Sequence, residues 1–118
     1  MQKPDFDAEA ARQNLQRKEL AKSIKQEEFR IKLLQKAIEV LLEYFRDQKV
    51  EVWLIGSIIQ PNHFSERSDI DIVVKNFHGD RFALWSILEK KIGHEAEIVR
   101  FEECSFQDDI LTFGKKVL

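Results

Sequence analysis

From about Phe6 to Gln48 the chain contains neither glycine nor proline, and Ala, Gln, Glu, Lys, Arg and Leu dominate it. These residues lose little conformational freedom in a helix. The stretch therefore predicts one long helix, or two separated by a bend. With that much of a 118-residue chain committed to one helical segment, the remainder suffices for a single small core and not for two ordinary domains.

Along this segment Leu20, Ile24, Ile31, Leu34, Ile38, Leu41 and Phe45 fall on alternating steps of three and four, and Glu27 takes the missing position. Leu33, Ala37, Val40 and Tyr44 add a second row towards the C-terminal end, so the part after about Phe29 is expected to pack on the domain core. The segment before Leu20 buries too little to fold alone against that core. It is expected either to project into solvent or to meet a second chain. This divides the chain into a helical extension, residues 1–28, open to a partner, and a folded domain, residues 29–118.

After Lys49 the apolar period changes to that of strands. Val50–Ile55 reads as a strand closed by Gly56-Ser57, and Pro61-Asn62 marks a loop. Asp69–Lys75 reads as a second strand. Gly79 and Asp80 open a helix with Phe82, Trp85, Leu88 and Ile92 on one face, ending at Gly93. A third strand is expected over about Glu95–Phe101, and a short helix from Phe106 to near Gly114, before the apolar pair Val117-Leu118. The order predicts an α/β fold in which helices pack on a small mixed β-sheet, preceded by a long N-terminal helical segment.

Composition narrows the function classes. The 43% hydrophobic content, with nine Phe and two Trp, is that of a globule and not of a disordered chain. A formal net charge of −2 gives no general attraction for nucleic acid or for an anionic membrane, so any phosphate binding must be local. Met1–Ala8 lacks the basic start and apolar run of a secretory signal, and no apolar run approaches bilayer length; a cytoplasmic protein is expected. Cys104, the sole cysteine, excludes an intrachain disulfide and reads as a small, partly buried apolar residue. His63, His78 and His94 fit no zinc spacing and are assigned no role, while Trp53 and Trp85 read as core.

The chemistry concentrates in Leu54-Ile55-Gly56-Ser57 and, eleven residues later, Asp69-Ile70-Asp71-Ile72-Val73-Val74. Residues two apart on a strand share a face, so Asp69 and Asp71 point into one site while Ile70 and Ile72 anchor the strand from behind. Two carboxylates aimed at one place repel each other unless a cation lies between them. Mg²⁺ suits that role, because it prefers oxygen ligands and completes its shell with water and substrate phosphates. Gly56 lets the backbone approach a phosphate, and amides at a helix start, with the Ser57 hydroxyl, donate to it.

An apolar residue, Gly56-Ser57, a loop of this length and Ser68-Asp69-Ile70-Asp71 followed by apolar residues resemble the signature of the DNA polymerase beta-like nucleotidyltransferases. The small size is similar to that of the minimal nucleotidyltransferases, antitoxins paired with HEPN-domain toxins. The resemblance covers about Val50–Leu118. It implies a nucleotidyltransferase fold, ATP as substrate, and two Mg²⁺ ions held by Asp69, Asp71 and a third carboxylate from a later strand. Within Glu95-Ala96-Glu97-Ile98-Val99 Glu97 fits that place best, with Glu95 as its rival on the same strand face; small members more often carry Asp there. By the same resemblance Gly56, Ser57 and Ser68 bind the nucleotide. Where many relatives have a basic residue and a glycine after Gly-Ser, this chain has Ile58-Ile59-Gln60-Pro61, which leaves the positive charge to Arg67.

The resemblance further implies transfer of AMP to a hydroxyl, tyrosine first, on a HEPN ribonuclease partner that is thereby silenced. The alternative is a non-catalytic antitoxin that neutralises the partner by contact along the Leu20–Phe45 stripe. A homo- or hetero-oligomer through the N-terminal helix fits either. No Arg is followed four to six residues later by a His, the spacing HEPN nucleases use, so the toxic activity belongs to another protein.

Overall fold

The computed structural model describes residues 7–118; Phe6, at the predicted start of the helix, and most of the segment read for a secretion signal lie outside them. One uninterrupted helix, α1 (Ala8–Tyr44), runs for 37 residues, or about 55 Å at 1.5 Å per residue. It starts at Asp7, whose Oδ1 accepts the Glu9 and Ala10 amides at 3.0 and 3.2 Å and so satisfies two of the donors a helix start leaves free. There is no bend, in keeping with the absence of Gly and Pro.

Then follow β1 (Glu51–Ile55), a 3₁₀ turn at Gly56–Ile59, β2 (Ile70–Lys75), α2 (Arg81–Ile92), β3 (Ala96–Arg100), a 3₁₀ turn at Phe101–Glu103, α3 (Gln107–Phe113) and β4 (Lys115–Lys116). The sheet order is β3-β2-β1-β4. β1 runs antiparallel to β2 and β4, and β2 runs parallel to β3 through the α2 crossover. The predicted mixed α/β architecture is therefore present.

β4 has no counterpart among the expected elements, because two lysines show no strand pattern. Its role is to cap the edge of β1, and the chain beyond it stays attached: Val52 N–H donates to the Leu118 carbonyl at 3.1 Å, and Val117 N–H to Val52 at 2.8 Å.

The two sheet faces differ in kind. Val52, Leu54, Ile70, Ile72, Val74, Ala96 and Ile98 point to the face covered by α1 and α2, where they form the main core with Leu33, Ala37, Leu41, Phe45, Leu84, Leu88 and Ile92. Trp53, Val73, Phe101 and Ile110 make a smaller cluster on the other face, with Trp53 stacked on Phe101 at 5.3 Å.

The predicted helix faces meet the core with one departure each. In α2 Leu88 and Ile92 are buried as expected and Trp85 packs against them, but Leu84 takes the place of Phe82, which is 69% exposed under the Arg81 guanidinium. Along α1 Leu33, Ala37 and Leu41 are buried, with Phe45 at its end, whereas Ile31 stays open and Arg30 is buried beside it. The face that meets the sheet is set by the packing of the whole helix. Towards the start of α1, Leu15, Leu20 and Ile24 are each at least half exposed, in line with a projecting segment.

The charged side chain buried in the core is Arg30. Its guanidinium forms a two-pronged pair with Glu27, Nε to Oε1 at 2.7 Å and Nη2 to Oε2 at 2.8 Å, and Nη1 donates to the Ile58 carbonyl at 2.9 Å. Glu27 Oε1 also accepts the Asn62 amide at 3.0 Å. One ion pair on α1 thus holds the first part of the loop that follows β1 at two points, Ile58 and Asn62.

The Arg30 and Asn62 donors lower the Glu27 carboxyl from its ordinary 4.5 to about 2. A depressed carboxyl stabilises the fold above its unfolded value and loses that contribution as pH falls. The thermal midpoint of the wild type should therefore drop between pH 4.5 and 2, and Glu27→Gln should flatten that part of the curve. Arg30→Met should cost about 2–3 kcal/mol in urea unfolding, since it leaves the Ile58 carbonyl and Glu27 without their partner.

Candidate active site at the end of the central strands

β1 ends and β2 begins side by side, and the pairing places Ile55 opposite Asp71 and Asp71 opposite Glu97. These three residues form a single row across the sheet, on the face away from α1 and α2. Cross-strand neighbours have Cβ atoms about 5 Å apart, so Asp71 and Glu97 are held together by backbone pairing. Glu95 precedes β3, and its carbonyl accepts the Ile70 amide at 3.0 Å. Register, and not composition, puts Glu97 opposite Asp71.

Gly56 turns the chain beside this row. Its φ of +76° lies in the left-handed region that glycine tolerates and side chains resist. A Cβ at this position would sit 2.6 Å from Asp71 Oδ2. The glycine backbone therefore lies directly against a carboxylate, and Ser57 opens the 3₁₀ turn that follows.

Asp71 is half-buried, and its carboxyl is pushed up by burial, then by the charges of Glu97 and Asp69. Those two acids are exposed. Asp69 lies just outside β2, whose ladder begins at Ile70. Among the described residues no three His, Cys, Asp or Glu side chains close into a metal cage. An open row of acids suits Mg²⁺ nonetheless, because that ion takes one or two carboxylates and fills its shell with water and phosphate oxygens. The crowding on Asp71 fits a cation, and the bare Gly56 backbone beside it fits the close approach of a phosphate.

Of the remaining predicted residues, Ser68 stands next to Asp69, whereas Arg67 faces α1 and not the acid row. Ser68 Oγ accepts the Ser65 amide at 3.1 Å, which ties it into the turn ahead of Asp69. Arg67 is exposed on that turn and lines a groove of about 740 Å³ with Lys18, Lys22 and Lys25 of α1.

Three contributors escaped the sequence reading. Glu27 and Arg30 anchor the loop between Gly56 and Asn62, and their spacing of three on a helix was the one visible sign of a pair. His94 Nε2 donates to the Ser68 carbonyl at 2.6 Å and packs against Phe29 and Phe64, so it steadies the residue before Asp69. Nothing in its spacing marked that role. Cys104 is half-buried and its thiol is pushed up by burial and by Glu103 and Glu102, which leaves it unreactive, in line with the apolar reading.

A four-stranded mixed sheet with helices packed on it, preceded by a long helix, is the fold that the sequence resemblance implied. The chain is similar in structure to one from a crystal structure of the toxin-antitoxin MntA-HepT complex, at 22% identity and a TM-score of 0.51, over 71% of each chain. It is also similar to one from a variant of that complex in which two aspartates two positions apart are glutamate, at 23% identity and a TM-score of 0.56, over 69% of this chain and 71% of that one. The likeness bears out the resemblance at the level of the fold. No protein-family model matches the sequence, and neither does any curated protein. Among the described residues no helix is long and apolar enough to cross a membrane.

A carboxyl whose value is raised in the folded state penalises folding once it ionises, and the penalty is relieved as pH falls through that value. Asp71→Asn should accordingly raise the thermal midpoint by a few degrees at pH 7 without divalent cations, and the gap to the wild type should close in acid. Millimolar Mg²⁺ should stabilise the wild type and leave the variant nearly unmoved; differential scanning fluorimetry reads both.

Proposed function

We propose that this protein is a nucleotidyltransferase antitoxin that moves AMP from ATP to a hydroxyl, tyrosine first, of a HEPN ribonuclease partner. The observation that carries this reading is the contact of Gly56 with Asp71 in a row that continues to Glu97, because a backbone without a Cβ lets a phosphate come close beside a row of carboxylates.

In this reading the Gly56 and Ser57 amides and the Ser57 hydroxyl hold the phosphates, while Asp69, Asp71 and Glu97 are the Mg²⁺ ligands. Bound there, Mg²⁺ supplies charge neutralisation for the departing pyrophosphate and a lowered pKa for the acceptor hydroxyl. The acceptor oxygen bonds to the α-phosphorus as the bond from that phosphorus to the oxygen bridging the β-phosphate breaks. Pyrophosphate leaves, and the hydroxyl proton passes to solvent at the exposed side of the acid row. No covalent enzyme intermediate is needed. The Asp71 carboxyl, raised by burial and then by the charges of Glu97 and Asp69, is one whose ionised form a cation would favour.

The similarity to MntA-HepT supports a toxin as partner, and the open side of α1 supplies a surface for it. Leu15, Leu20, Ile24 and Ile31 are 42–62% exposed along that helix. The same surface supports the second reading, a non-catalytic antitoxin acting by contact alone.

Intact mass spectrometry after incubation with ATP, Mg²⁺ and the HEPN protein encoded beside it should show AMP added to that neighbour. Asp71→Asn should reduce transfer at least a thousandfold and abolish neutralisation. Full neutralisation by that variant would instead establish the contact mechanism.

A further inference from the structure

A second concave feature touches the candidate site and has no part in the reading above. Between the Gly56–Ile59 turn and α3 lies a pocket of about 400 Å³ on the acid-bearing face of the sheet. Gly56 belongs to both: one side of its backbone meets Asp71 Oδ2, and the other lines this pocket.

Ile55, Ile59 and Ile110 give the pocket an aliphatic floor, and Gly114 allows it to be narrow, since a Cβ there would lie 2.5 Å from the Ile110 carbonyl and 3.2 Å from Ile55 Cγ2. Phe106 and Phe113 stand at the two ends of α3, 42% and 74% exposed, and both line the pocket. Single exposed apolar residues are ordinary. Two phenyl rings lining one recess with Gly56 are better explained by a flat aromatic ligand, because base stacking on an aromatic ring is favourable and tolerant of base identity. The polar groups of the rim are Asp109 and Gln60, both exposed. An ionised aspartate only accepts hydrogen bonds, so it favours a ligand edge that donates.

We propose that this pocket holds the base of the nucleotide, with Phe106 and Phe113 stacking on it and Asp109 accepting from an exocyclic amino group. The proposal rests on the transferase reading, since the phosphates of the same molecule then lie across Gly56 at Asp71. Adenine, guanine and cytosine carry the required amino group, and uracil does not. The recess thereby gives the chain a means of choosing ATP over UTP that owes nothing to the metal site.

Binding of ATP, UTP and inorganic tripolyphosphate, each with Mg²⁺, is measured by calorimetry on the full chain. Phe113→Ala, an exposed substitution that should not disturb folding, is expected to weaken ATP about tenfold and leave tripolyphosphate unchanged. Wild type should prefer ATP to UTP by a similar factor, and Asp109→Ala, which removes the acceptor, should erase most of that preference. Phe113→Trp supplies an independent readout: its added emission should be quenched by ATP and not by tripolyphosphate. If Phe113→Ala and Phe106→Ala bind ATP as the wild type does and the tryptophan emission is unmoved, the base lies elsewhere and the transferase reading stands. Equal affinity of the wild type for ATP and UTP overturns the role of Asp109. Should neither ATP nor tripolyphosphate bind the wild type, the pocket assignment and the transferase reading fall together.

Discussion

Everything at the candidate site follows from the row Ile55, Asp71, Glu97 across three neighbouring strands. Backbone pairing brings two carboxylates together where their own charges would drive them apart, and burial of Ile70, Ile72 and Ile98 on the opposite face supplies the free energy that holds them there. A slip of one residue in either pairing would put acids into the main core and isoleucines into the site. The register is thus fixed by the hydrophobic pattern, and the acids are carried with it.

The long helix does two jobs with different parts of its length. From Gln26 onward it covers the sheet and, through Glu27 and Arg30, grips the loop after Gly56 at Ile58 and Asn62. Before Gln26 its side chains are exposed, and the described residues reach 74 Å along their longest axis against 29 and 20 Å across. A radius of gyration of 19.8 Å, against about 13.5 Å for a compact chain of this length, expresses the same overhang. Because the loop is bonded to the helix within a turn and a half of the exposed part, the overhang runs directly into the residues that hold the bend after Gly56.

Most elements were legible locally. The strand alternation around Leu54 and Ile72, the Gly93 stop of α2 at φ +79° and the unbroken run of α1 each reflect a short-range rule, and the elements after α1 stand within a residue or two of their expected places, while α1 ends at Tyr44, four residues before Gln48. The orientation of helices was less legible. Phe82 and Ile31 belong to apolar rows as good as those that are buried, and only the shape of the sheet decides which row meets it. β4 was invisible, since Lys115 and Lys116 are in a strand solely because the edge of β1 accepts them.

By itself the sequence determined which residues could do chemistry: Gly56-Ser57 and Asp69-Ile70-Asp71 are contiguous motifs whose meaning depends on the alternation of one strand and the freedom of one glycine. Tertiary structure alone decided what stands beside them. Glu97 over Glu95, the hold of Arg30 on Ile58, the His94 bond to Ser68 and the recess between Ile59 and Phe113 all join residues far apart in the chain. Such neighbours are set by strand pairing and by how helices pack on a twisted sheet, which are properties of the whole core and not of any local stretch.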